Sequence, residues 1–82
     1  MTITLPRVSF DSETGYAYIY LAEPHAGIVK TSVPLTPADD DPAALSSLVL
    51  DFDSDGRLVG IEVLGPADAV LIHELLSSPE PR

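Results

Sequence analysis

The stretch "SLVLDFDSDGRLVGIEVL", residues 47–64, constrains the fold more than any other. Two runs in which apolar residues recur at every second position flank a short polar turn, and period-two alternation is the signature of a half-buried strand. Asp55-Gly56 is the dipeptide favoured in a two-residue type I′ hairpin turn. Pairing outward from that loop sets Phe52 against Val59, Leu50 against Ile61 and Leu48 against Val63. The apolar partners then fall on one side, as a correct register requires. Gly60, inside the second run, marks a bulge or a close backbone approach.

The same residues carry a competing motif. Acids at Asp51, Asp53 and Asp55, a glycine at Gly56 and an acid at Glu62 have the spacing of a calcium-binding EF-hand loop. That loop needs helices on both sides, and here both flanks read as strands. Residues two apart along a strand are separated by ~6.5–7 Å, whereas calcium gathers its oxygens at ~2.3–2.6 Å from one centre. The hairpin explains the pattern without an ion. A cation-binding protein using Asp51, Asp53, Asp55 and Glu62 is kept as an alternative. Of that set, Glu62 faces Val49 and lies diagonal to Asp51 on the outer side of the hairpin.

Three further strands are expected. Residues 3–10 form a first strand edged by Pro6, residues 16–22 ("YAYIYLA") a second, and residues 28–33 a third. Residues 11–15 and 23–27 have turn chemistry. Residues 34–45, with three prolines and three consecutive aspartates, form a loop with room for a helical turn starting at Thr36-Pro37 or Asp41-Pro42. One helix is expected over residues 66–78, with Pro66 at its first position and His73 towards its far end.

Size and charge bound the function. The chain has 82 residues, enough for a single small domain over residues 1–82. A core of that size supplies only about 3–5 kcal/mol unaided. Cysteine is absent, which removes disulfides, thiolate metal sites and a thiol nucleophile. Oligomerisation is the remaining support, with a homodimer favoured. The net charge is −9, from 13 acids against 4 bases. That balance opposes direct nucleic-acid or anionic-membrane binding and suits a basic protein partner. The start of the chain lacks a signal-peptide pattern, and no apolar run reaches the ~20 residues of a membrane span. A cytoplasmic protein is the expectation.

The second strand is apolar on both faces. Tyr16, Tyr18 and Tyr20 share one, and Ala17, Ile19 and Leu21 share the other. A strand of this kind is covered on both sides, and one helix covers one side. The tyrosines are therefore either core beneath the helix or an interface, where tyrosine is enriched. For catalysis the candidates are poor. His25 lies in a Pro/Gly loop, and His73 sits beside Glu74 with no serine or thiol signature nearby. A small enzyme with a His73/acid pair is a further alternative, no catalytic residue is assigned, and no cofactor is expected.

Phe10-Asp11-Ser12-Glu13 leading to Tyr18-Ile19, then Asp51, Asp53 and Gly56 before Gly60-Ile61-Glu62-Val63, resembles the small bacterial proteins of domain of unknown function 2283. The resemblance spans most of residues 8–68. Gly15 stands where members often carry an acid, and the 34–45 loop is long and rich in proline. The resemblance implies a small sheet-rich fold in a bacterial cytoplasm and assigns no reaction.

The expected fold is thus α+β: an antiparallel twisted sheet of about five strands, built around two hairpins, with one C-terminal helix on a face. The expected function is a non-enzymatic protein-interaction module, such as an adaptor or an acidic, antitoxin-like neutraliser of a basic partner.

Overall fold

The structure is a computed structural model that describes residues 5–77. Five strands, β1 (Arg7–Phe10), β2 (Ala17–Tyr20), β3 (Thr31–Pro34), β4 (Leu48–Phe52) and β5 (Leu58–Val63), form one antiparallel sheet in the order β1-β2-β5-β4-β3. A five-residue helix, α1 (His73–Ser77), follows at the C-terminal end. The α+β expectation holds.

Residues in cross-strand register share a face, as do residues two apart along a strand. The register therefore sorts the sheet into rows. Val8, Ile19, Ile61, Leu50 and Val33 form an aliphatic row crossing all five strands. Beside it on the same face run Phe10, Ala17, Val63 and Leu48. The other face carries Arg7, Tyr20, Gly60, Asp51 and Ser32 in one row, and Ser9, Tyr18, Glu62, Val49 and Pro34 in the next.

The C-terminal segment chooses between the faces. Ala67, Val63 and Ala17 make the core cluster, and Val70, Leu71 and Leu76 pack on it with Ile19 and Leu48. The helix side is thus the Ala17/Ile19 face; Tyr18 and Tyr20 belong to the opposite side of β2, and Tyr16 precedes the strand. Ala67 anchors this cover, because its N–H donates to Gly15 O across 2.7 Å. Gly15 and Gly65 allow the approach: a Cβ on Gly65 would lie 2.6 Å from Gly15 O, and Gly65 also has a positive φ of 71°.

Three expectations need correction. Residues 66–78 do not form one helix. A 3-10 turn at Ala67–Ala69 precedes α1, and His73 is the first residue of α1 rather than near its end. The β-branched Val70 and Ile72 are modest helix formers, and the break lets Val70, Leu71 and Leu76 all reach the sheet while Ile72 stays 65% exposed. Residue 78 lies outside the described residues.

The hairpin turn also differs. Every non-glycine residue described has negative φ, so Asp55 does not adopt the type I′ conformation. The loop is instead Ser54-Asp55-Gly56, a three-residue turn with Gly56 at φ 77°. Asp53 organises it: its Oδ1 accepts from the N–H groups of Asp55 and Arg57, each at 2.9 Å. Phe52 consequently faces Leu58, not Val59. Val59 is bulged, and the pairing Asp51–Gly60, Leu50–Ile61, Leu48–Val63 resumes beyond it. The bulge absorbs the extra loop residue and restores the register expected for the two-residue loop.

The ends of other elements shift by a few residues. β1 begins at Arg7 and β3 at Thr31, residues 3–4 of the expected first strand lying outside the described residues. In the 34–45 loop, the helical turn is the 3-10 segment Ala43–Ser47 that follows Pro42.

Candidate interaction site

The polar rows converge on Asp51. It sits in β4 at 2% exposure, the only charged or polar residue fully buried among those described. Tyr18 reaches it from β2, leaning diagonally over Gly60 of the intervening β5, and its hydroxyl donates to Oδ2 across 2.8 Å. Gly60 is what makes this route open. A Cβ there would stand 2.5 Å from Tyr18 Cε1 and Cζ and collide with the hydroxyl. From β3, directly opposite in register, the Ser32 hydroxyl donates to Oδ1 across 2.7 Å. From β5, the Glu62 carboxyl lies diagonal to Asp51 on the same face and close enough to interact with it. A buried carboxylate is thereby matched by hydroxyl donors from β2 and β3, which is the condition for tolerating its burial.

The ionisation states follow. The hydrogen bond to Asp51, then burial, then the negative charge of Asp51 raise the Glu62 pKa above its ordinary 4.5. A negative charge beside a carboxyl disfavours its ionisation. Folding thus favours protonated Glu62. The stabilisation is complete below about pH 4.5 and is lost as pH rises through the elevated value. Tyr18 moves upward too, through burial first, then its bond to Asp51 and the nearby acids. It remains a neutral donor throughout the physiological range.

Around this hub lie aromatic rings. Tyr18 and Tyr20 are in contact at a centroid separation of 4.7 Å. The Arg7 guanidinium lies over the Tyr20 ring at 4.5 Å, a cation–π geometry. Tyr16, at 54% exposure, borders an open groove of about 260 Å³. Asp11, Ser9, Tyr18, Glu62 and Leu64 share that groove.

The acids of the EF-hand spacing are dispersed. Asp51 and Glu62 meet, but Asp53 turns to the loop amides and Asp55 is an exposed turn residue. Among the described residues no three His, Asp or Glu side chains are placed to hold a metal ion. His73 and His25 are both exposed. Sequence reasoning missed Ser32, whose partner strand could not be registered without the sheet order. It also missed the Tyr18–Asp51 bond, for which Gly60 was the available signal.

A family model described as "Protein of unknown function (DUF2283)" matches residues 7–65. The chain belongs to this family. The DUF2283 match takes in all five strands and the whole Tyr18–Ser32–Asp51–Glu62 network, and ends before Ala67 and α1. No curated protein and no solved structure matches the chain. No helix among the described residues is long and apolar enough to cross a membrane.

Proposed function

We propose that the protein is a non-enzymatic interaction module with two working surfaces. The apolar face beside α1 pairs with a second copy, and the tyrosine-bearing face receives a basic protein. The observation that carries the reading is the incompleteness of the core. The buried apolar residues among those described are all small: Ala17, Val49, Val59, Val63 and Ala67. Meanwhile the aliphatic row ends on Val33 at 41% exposure, Phe10 on the same face is also exposed, and so is Leu21 just beyond β2. A domain this small gains stability by burying such a face against another chain.

Charge supports the second surface. At −9 the chain repels polyanions and attracts basic proteins, and tyrosines are the residues that anchor such contacts.

Two measurements test the proposal. Analytical ultracentrifugation of the full chain should give a dimer, and Val33→Lys with Leu21→Lys should return a folded monomer. A monomeric parent protein refutes the self-association. Affinity capture from native cells should return one basic protein in stoichiometric amount, released by salt and lost with Tyr20→Ala. Capture unaffected by Tyr20→Ala and by salt refutes the assignment of that face.

A further inference from the structure

The groove at the end of β2 and β5 has a composition that selects a ligand class. It brings together two acids, Asp11 and Glu62, and two phenol rings, Tyr16 and Tyr18, and none of its lining residues is basic. We propose that this groove seats one lysine side chain of the basic partner, its ammonium between Asp11 and Glu62 and its aliphatic stem along Tyr16. The inference rests on the basic-partner reading above and deepens it.

Three features favour this occupant. An ammonium is attracted both by carboxylates and by aromatic faces, and the groove offers both within about 260 Å³. A flexible four-carbon stem lies along apolar surface while its charged head stays near water, and Leu64 with the half-exposed Tyr16 supplies that surface. The chain's own charge of −9 raises the local concentration of cations at any such groove. An incoming ammonium favours the Glu62 carboxylate, offsetting the neighbouring Asp51 charge that disfavours it.

The test is an amide NMR titration of the full-length protein at low salt. The probes are Nα-acetyl-lysine amide and, as its uncharged counterpart, Nα-acetyl-norleucine amide. Saturable shifts confined to Asp11, Tyr16, Tyr18 and Glu62 with the lysine probe alone are expected. Tyr16→Ala should weaken binding about two- to fivefold. Asp11→Asn should weaken it as well without altering the fold. Equal response to both probes, non-saturating shifts spread over the acidic loops, or an unchanged affinity in Tyr16→Ala would overturn the proposal. Failure here is distinguishable from failure of the partner reading. A basic protein captured through Tyr20 while the lysine probe does not bind removes the groove alone. Saturable probe binding with no captured protein removes the protein partner and leaves the groove as a site for the ammonium group.

Discussion

Replacing Gly60 by alanine places a methyl group where the Tyr18 ring now lies. The new carbon would be 2.5 Å from Cε1 and Cζ, so the ring must swing away and its hydroxyl leave Asp51. Losing a hydrogen bond to a charged group costs about 1.5–3 kcal/mol. Gly60 has no positive φ, so alanine itself fits the backbone and returns about 0.4–1 kcal/mol through the unfolded chain. The net destabilisation is about 1–2 kcal/mol, or about 5–15 °C in Tm for a chain of this length. In a Tyr18→Ala background the obstacle is gone, and the same substitution should be neutral or stabilising. Urea unfolding of the four proteins in this cycle measures the coupling directly. Equal cost of Gly60→Ala in both backgrounds would refute the idea that Gly60 exists to admit Tyr18.

Other substitutions probe neighbouring parts. Glu62→Gln keeps a donor for Asp51 and cannot ionise. Its stability should exceed that of the parent near pH 7 and fall less between pH 4.5 and 7, read by thermal unfolding across pH. Gly65→Ala combines a positive φ with contact at 2.6 Å from Gly15 O. It should destabilise by more than the ~1 kcal/mol of an ordinary left-handed residue and should loosen the C-terminal cover in hydrogen exchange. Asp53→Ala removes the acceptor for two loop amides and should cost about 1–2 kcal/mol in urea unfolding, comparable to losing a helix cap.

Much of this sheet was legible in the sequence because its strands alternate cleanly. The pairing of Leu50 with Ile61 and Leu48 with Val63 follows from placing apolar residues on one side, whatever the loop does. The turn was misread because Asp55-Gly56 satisfies two loop types. What decides between them is the Asp53 side chain, which bonds two loop amides in the three-residue form. The helix was overextended because Pro66 and Asp68 suit a helix start, although Val70 and Leu71 reach the core from the link after a 3-10 turn and Leu76 from a separate α1. The convergence of Ser32 and Tyr18 on Asp51 depends on which strands are neighbours. Strand order is a long-range property that local periodicity does not carry.

The margins of the sheet limit how a second copy can add to it. Both outer strands, β1 and β3, are only four residues long, and β3 ends on Pro34, which has no N–H to offer. Short rims, one of them ending on proline, are poor templates for adding another strand. Stacking flat against flat is therefore the geometry left to a pair of these chains. On the proposed self-association, such a pair would be a sandwich of two layers rather than an extended ribbon.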